Sequence, residues 1–286
     1  MRHPLDPSTT ARPGDDAARR PSVVFVHGMR TSRAIWDAQL EATHDAGYRA
    51  AAIDLPGHGV RRHERFSLEG AYEAIDEAAH DLGGADPTTP LALVGLSLGG
   101  YTSLAYAADR RDRPGVRLAG VVAASCSTDT RGLPLRTFTG ALRGSLTAGR
   151  VTRELAARAA ARASRLVVPA ALRRPEPAAP PVPTLPGRPS GAAAVFTPGW
   201  DLVADALAYL AERSSVQNLR GGGVPVWLVN GARDQLRMHE RRHLRAVPGT
   251  RLVVVPGAGH DVSLEAPAAF NEAVLDALAA FRRQRA

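Results

Sequence analysis

One serine, placed directly after a buried strand, constrains the fold of this chain more than any other feature. Residues 91–100 read LALVGLSLGG, so an apolar run ends in a G-x-S-x-G pattern centred on Ser97. Residues 98–110 have helical spacing, which puts the serine on a sharp strand-to-helix turn. Glycines suit the positions two before and two after, because side chains there would collide with neighbouring backbone. The pattern predicts that Ser97 lies at the C-terminal edge of a sheet.

Strands and helices alternate along most of the chain, which predicts an α/β fold. Apolar, strand-like runs occupy residues 22–28, 48–59, 91–97, 116–125, 224–231 and 250–260. Helices are predicted over 35–47, 67–83, 98–110 and 266–285. Strands that are apolar throughout are typical of a mostly parallel sheet with helices on both faces.

The alternation stops between residues 127 and 215, which predicts an insertion after the strand that ends near residue 125. This stretch has helical spacing at 140–165 and 200–213, and residues 169–189 contain eight prolines. We expect a core formed by residues 22–126 and 216–286, a helical cap over 127–215, and a disordered segment over 1–21. The alternative for the insertion is a surface loop with no role in substrate choice.

Composition disfavours several classes of partner. The net charge is +8 and all 36 basic residues are arginine, but these arginines are scattered along the chain. Aromatic residues, on which bases could stack, make up only 5% of the chain, so nucleic acid is not the expected partner. No apolar run approaches the roughly 20 residues of a membrane span, and residues 1–21 lack the apolar block of a signal peptide, so we expect a cytoplasmic protein. Cys126 is the only cysteine, which excludes an intramolecular disulfide and a thiolate metal site. The oligomeric state stays open.

A serine hydroxyl becomes a useful nucleophile only when a base removes its proton and an acid orients that base. Asp234 follows the fifth predicted strand and His260 follows the sixth, so both are expected on the same sheet edge as Ser97. This is also the chain order, serine then acid then histidine, that follows such a turn. Asp261 is adjacent to His260 in sequence and cannot easily reach its imidazole.

Other candidate bases are given structural roles. His27, His58 and His63 also lie near strand ends, but none has an evident acid partner, so hydrogen bonding within the fold is the favoured role for each. Asp54 closes the second strand, and we expect it to organise the glycine-rich turn after it.

Five short stretches together resemble the α/β-hydrolase superfamily. They are HG at 27–28, DLPGHG at 54–59, GLSLGG at 95–100, GARD at 231–234 and GAGH at 257–260. The resemblance covers residues 22–126 and 216–284. It implies an α/β-hydrolase fold with Ser97 as nucleophile, Asp234 as acid and His260 as base. It also implies an oxyanion hole made by the backbone N–H groups of Met29 and Leu98.

Two departures from the family pattern accompany this resemblance. The first predicted strand, at 22–28, corresponds to the family's third strand, so the family's usual first hairpin is expected either to be absent or to lie unrecognised in the N-terminal segment. The loop after residues 27–28 reads MRTSRAIW in place of the frequent glycine- and proline-containing version. The second departure changes the loop that begins with Met29, whose backbone N–H is one of the two expected oxyanion donors.

The predicted chemistry is acyl transfer through an acyl-enzyme, which requires no metal and no organic cofactor. The favoured function is hydrolysis of a small or medium carboxylic ester, lactone or thioester. Two alternatives stay open: acyl transfer to an alcohol or peroxide by the same residues, and a non-catalytic ligand-binding protein of the same fold. Four residues are candidates for substrate contact, although surface or core roles compete for each: Arg30, Trp36, Phe138 and Trp200.

Overall fold

The computed structural model describes residues 20–83, 89–112, 117–131 and 200–283. Within these ranges the strands are β1 (Ser22–Val26), β2 (Ala50–Ile53), β3 (Leu91–Leu96), β4 (Leu118–Ala124), β5 (Val226–Gly231) and β6 (Arg251–Val255). They form one sheet in the order β2-β1-β3-β4-β5-β6, and every neighbouring pair is parallel. The predicted parallel α/β sheet is therefore confirmed.

Helices follow the strands through the same ranges. They are α1 (Asp37–Asp45), α2 (Leu68–Gly83), α3 (Leu98–Asp109), α4 (Trp200–Glu212), α5 (Ser215–Gly222), α6 (Glu240–Ala246), α7 (Val262–Glu265) and α8 (Pro267–Arg283). The sequence predicted α1, α2, α3, α4 and α8 but not the three short helices α5, α6 and α7. The start of α5 is capped by Ser214, whose hydroxyl accepts the Gln217 N–H at 3.2 Å, and its end is set by Gly223 in the left-handed region.

The core consists of two apolar layers, one on each face of the sheet. Successive residues of a strand point to opposite faces, so Val24 and Val26 enter one layer while Val23 and Phe25 enter the other. The first layer packs against α2, α3 and α5, and the second against α1 and α8. Burial on both faces explains why the inner strands are apolar without alternation.

The two edge strands are shorter than the apolar runs from which they were predicted. β2 and β6 are the outer strands, and β6 covers five residues although the apolar run extends over 250–260. In β6 the side chains of Arg251 and Val254 are exposed, because the strand has a neighbour on one side only. After it the chain turns at Gly257, which has a φ of +74°.

Most of the predicted insertion lies outside the described residues, including 140–165, the proline-rich 169–189 and the candidate Phe138; so does the predicted disordered segment up to residue 19. The helix expected at 200–213 is present as α4, and its buried Leu202 packs against Gly57 of the DLPGHG turn. Among the described residues, no helix is both long enough and apolar enough to cross a membrane.

Candidate active site

Ser97 occupies the turn between β3 and α3, and its backbone is strained. Its φ is +54°, a region that side-chain-bearing residues rarely adopt. The glycines around it are required by close backbone packing: a Cβ on Gly95 would overlap the carbonyl of Gly99, and a Cβ on Gly99 would overlap the carbonyl of Val26. The turn therefore forms only with glycine at these two positions, and it leaves the Ser97 side chain partly exposed at the sheet edge.

The structure brings Ser97, His260 and Asp234 into one hydrogen-bonded row. The Ser97 hydroxyl lies 3.0 Å from His260 Nε2, and His260 Nδ1 lies 2.9 Å from Asp234 Oδ1. With the imidazole proton on Nδ1, that nitrogen donates to the carboxylate and Nε2 accepts from the serine. Asp234 Oδ1 also accepts the N–H of Leu236 at 2.9 Å. These distances are those expected of a nucleophile, a base and an orienting acid.

Electrostatics in this row favour a basic imidazole beside an ionised carboxylate. The hydrogen bond to Asp234 raises the pKa of His260, although partial burial acts in the opposite direction. Burial alone would raise the pKa of Asp234, but hydrogen bonds from His260 and from the Leu236 N–H outweigh it, so the pKa is lowered. Asp234 is therefore charged near neutral pH, where it can stabilise a protonated His260.

Two backbone N–H groups belong to residues next to the serine turn: Leu98 follows Ser97 directly, and Met29 follows Gly28, where an added Cβ would lie 3.5 Å from Ser97 Cβ. Leu98 is the first residue of α3, and Met29 lies on the loop after β1. Within the described ranges, neither N–H donates to another protein atom. A free N–H at the start of a helix carries partial positive charge, so the Leu98 N–H suits an oxygen that becomes negative.

The loop that carries Met29 is held by polar side chains from the DLPGHG turn. Asp54 Oδ1 accepts the Arg33 N–H at 2.8 Å, and Oδ2 accepts the Val60 N–H at 3.0 Å. Next to Met29, the N–H of Arg30 is 3.2 Å from His58 Nε2. Asp54 thus organises its turn as the sequence predicted, and it also fixes the far end of the Met29 loop.

His27 and His58 have structural hydrogen bonds in this region. His27 Nε2 accepts the Leu55 N–H at 3.0 Å, and Nδ1 lies 2.7 Å from the Gly28 carbonyl. Burial and the neighbouring His58 lower the pKa of His27 to about 3. Burial also lowers the pKa of His58. The His58 ring packs edge to face against the His27 ring, with 4.7 Å between the ring centroids. Both rings are therefore neutral near pH 7 and act as fixed donor–acceptor pairs.

The candidate substrate contacts are only partly near the serine. Arg30 is exposed next to Met29, and its φ is +62°. Trp36 is fully buried in the second apolar layer, the one that contains Val23, where its indole lies between the rings of Phe25 and Phe270. Its assignment to the pocket is therefore wrong: the 3-10 turn that ends at Trp36 directs the indole into the core. Trp200 begins α4, and its side chain is outside the described part of the structure.

The remaining features near the serine are small and apolar. Cys126 is completely buried, and burial raises the pKa of its thiol, so it is not a second nucleophile. A cavity of about 10 Å3 between α3 and α4 is lined by Phe66, Leu98, Tyr101 and Leu210, among others. That volume admits about one water molecule. No cluster of metal-binding side chains occurs in the described ranges.

Comparison with known proteins places these features in a family. The family model described as "Alpha/beta hydrolase family" matches residues 23–273. Rat (Rattus norvegicus) ABHD14B is 51% identical over 51 residues, which is 17% of this chain and 24% of ABHD14B. Mouse (Mus musculus) ABHD11, named an sn-1-specific diacylglycerol lipase, is 33% identical over 102 residues, 34% of this chain and 31% of ABHD11. The matches thus span about a quarter to a third of these two relatives.

Solved structures share the architecture over most of the chain. The thermophilic esterase of Thermogutta terrifontis superposes with a TM-score of 0.63 at 22% identity, covering 92% of this chain and 90% of the esterase. At such identity the likeness shows the fold alone.

Proposed function

The chain belongs to the α/β hydrolase family, and we propose that it is a serine hydrolase that cleaves a carboxylic ester, lactone or thioester. The observation that carries the proposal is the row Ser97–His260–Asp234, with hydrogen-bond distances of 3.0 and 2.9 Å. In the proposed reaction the N–H groups of Met29 and Leu98 supply the two oxyanion donors that acyl transfer requires. The name of ABHD11, a lipase, and that of the Thermogutta esterase agree with ester chemistry.

The first half of the proposed reaction forms an acyl-enzyme. His260 Nε2 takes the proton of Ser97 as Oγ bonds to the acyl carbonyl carbon, and the carbonyl electron pair moves onto its oxygen. The N–H groups of Met29 and Leu98 donate to that oxyanion. Asp234 stabilises the protonated imidazole. When the tetrahedral intermediate collapses, His260 gives its proton to the leaving alcohol or thiol, and the bond to the leaving group breaks.

The second half releases the acid and restores the enzyme. A water molecule attacks the acyl carbon while His260 accepts one of its protons, and the same two N–H groups hold the second oxyanion. Collapse breaks the bond to Ser97 Oγ, which takes the proton back from His260. His260 thus acts alternately as base and acid.

Arg30, the residue after the Met29 donor, is the basis for one part of the proposed substrate preference. Arg30 is exposed immediately after Met29, so an acyl group that bears a carboxylate is a candidate substrate class. Phe138 and Trp200 remain candidates for the apolar side of the pocket. The partner in this proposal is a small acyl compound.

The test is hydrolysis of p-nitrophenyl esters from acetate to decanoate. We expect the wild type to be active, and Ser97→Ala and His260→Ala each to lose at least about 10³-fold in kcat. Matched controls are Ser103→Ala, which changes a buried serine whose hydroxyl donates to a backbone carbonyl, and His44→Ala, which changes a histidine with an exposed hydrogen bond to a backbone carbonyl.

Two results would contradict the proposal. Full activity in Ser97→Ala would exclude this nucleophile. A wild type that hydrolyses no ester in the panel, but transfers the acyl group to an added alcohol or binds an acyl ligand without turnover, would favour one of the alternatives.

A further inference from the structure

Backbone strain outside glycine is confined to three places in the described residues. Arg30, Ser97 and Ser125 have φ values of +62°, +54° and +53°. The first follows the Met29 donor and the second is the nucleophile. The third, Ser125, directly follows β4 and has no part in the chemistry proposed above. Strain of this kind persists where the surroundings impose it, often at functional sites, so Ser125 requires an explanation.

Ser125 connects the end of β4 to the histidine of the catalytic row. Its hydroxyl donates to the backbone carbonyl of His260 at 2.7 Å. Its N–H is shared between the Val229 carbonyl and the Asn230 side-chain oxygen, each at 3.1 Å. Ser125 is completely buried. The strained backbone therefore aims one buried hydroxyl at the main chain of His260.

Asn230 is itself held in one orientation. Its side-chain NH2 group donates to Ser127 Oγ and to Glu240 Oε1, each at 2.8 Å. The amide oxygen therefore faces the Ser125 N–H and not the reverse. Because Asn230 belongs to β5, the position of Ser125 is fixed from two neighbouring strands.

The carboxylate of Asp234 lies next to the same hydroxyl. Ser125 is among the groups that lower the pKa of Asp234, while Asp234 Oδ2 is buried without a hydrogen-bond partner among the described residues. A hydroxyl has one proton, and here it goes to the His260 carbonyl. Ser125 thus contacts one member of the His260–Asp234 pair and adjoins the other.

We propose that Ser125 is a positioning residue, whose hydroxyl holds the His260 main chain so that the imidazole keeps its hydrogen bonds to Asp234 and Ser97. The inference rests on the serine-hydrolase function proposed above. Glycine would adopt the observed φ without strain, but it has no hydroxyl to donate to His260. The role therefore explains why a serine occupies a backbone position that favours glycine.

The test compares Ser125→Gly and Ser125→Ala with a distant control. Both variants remove the hydroxyl, but only glycine tolerates the backbone conformation, so Ser125→Gly is expected to fold even if Ser125→Ala does not. We expect kcat of Ser125→Gly on the preferred ester to fall by about 10- to 100-fold with KM within about twofold, as for a displaced catalytic group. Thr43→Val removes another buried hydroxyl, which donates to a backbone carbonyl in α1, and is expected to keep kcat.

A second measurement separates this inference from the proposed function. The carboxylates of Asp234, Asp261 and Glu265 raise the pKa of His260, and none of them is changed in Ser125→Gly. If the hydrogen bond to Asp234 loosens, the pKa of His260 falls towards its ordinary value, which NMR titration of the imidazole detects even in a protein without esterase activity. Wild-type kcat in Ser125→Gly, or an unchanged His260 titration, would overturn the positioning role. A wild type inactive towards esters, whose His260 pKa nevertheless falls in Ser125→Gly, would overturn the proposed function alone.

Discussion

Replacing Asp54 with asparagine tests how the Met29 loop is held. The Asp54 carboxylate is buried and accepts two backbone N–H groups, from Arg33 at 2.8 Å and Val60 at 3.0 Å. Gly59, at φ +47°, allows this approach, because a Cβ there would overlap the carboxylate. An asparagine can accept from only one of the two N–H groups and presents NH2 to the other.

The magnitude follows from these two contacts. A hydrogen bond to a charged group contributes about 1.5–3 kcal/mol, and a neutral bond about 1 kcal/mol. Asp54→Asn loses one charged bond and weakens the other to a neutral bond, so we expect a destabilisation of about 3 kcal/mol. The loop that begins at Met29 loses its anchor at Arg33, and kcat is expected to fall about 10-fold or more, since one misplaced oxyanion donor costs up to 10²–10³.

The assay is urea unfolding together with ester hydrolysis at a temperature where both proteins are folded. Glu77→Gln is the control, because it also changes a carboxylate to an amide but in an exposed ion pair with Arg61, for which less than about 1 kcal/mol is expected. An Asp54→Asn protein as stable as the wild type, or one that keeps full kcat, would refute the inferred anchoring.

Four further predictions concern the site and its support. Since the pKa of His260 is raised and its neutral form is the base, kcat/KM should fall as the pH drops through a midpoint above 6.5, and a pH profile with its acidic midpoint below 6.5 would be inconsistent with the His260–Asp234 pair. Asp234→Asn should lower kcat by about 10⁴ in the same ester assay. Gly99→Ala should destabilise the fold by about 3 kcal/mol or more in urea unfolding, because the added methyl overlaps the backbone at Val26 and His27; wild-type stability would disprove that packing. The buried Cys126 thiol should react with a disulfide reagent only after denaturation; rapid reaction in the folded protein would show that it is accessible.

Much of the sheet was predictable because its inner strands are buried on both faces. Such strands are apolar runs in the sequence, and β1, β3, β4 and β5 coincide with them to within a few residues. The short helices were missed for local reasons. α5 reads SVQNLRGG, which ends in glycines, and α6 reads ERRHLRA, which has almost no apolar face. Packing against the rest of the fold stabilises such short helices, and α5 also has the Ser214 cap.

The site was predictable where chain order and strand ends define it. Ser97, Asp234 and His260 each follow a strand of one parallel sheet, so sequence alone placed them at a common edge. Trp36 was wrongly assigned, because nearness in sequence to the HG motif does not tell which face of the sheet a side chain enters.

Ser125 and Asn230 were not identified from the sequence. Their roles come from contacts across strands, for which no short motif exists. One signal was available: Asn230 is a polar residue within the apolar run of β5, and a buried amide needs partners.

The proposed chemistry depends most on a nucleophilic Ser97 activated by His260. Labelling with a fluorophosphonate, followed by intact-mass measurement and peptide mapping, examines this directly and needs no knowledge of the natural substrate. We expect one adduct per chain on Ser97 in the wild type, none in Ser97→Ala, and labelling at least about 10²-fold slower in His260→Ala. No adduct on the folded wild-type protein, or an adduct on another residue that persists in Ser97→Ala, would contradict the assignment of Ser97 as the nucleophile.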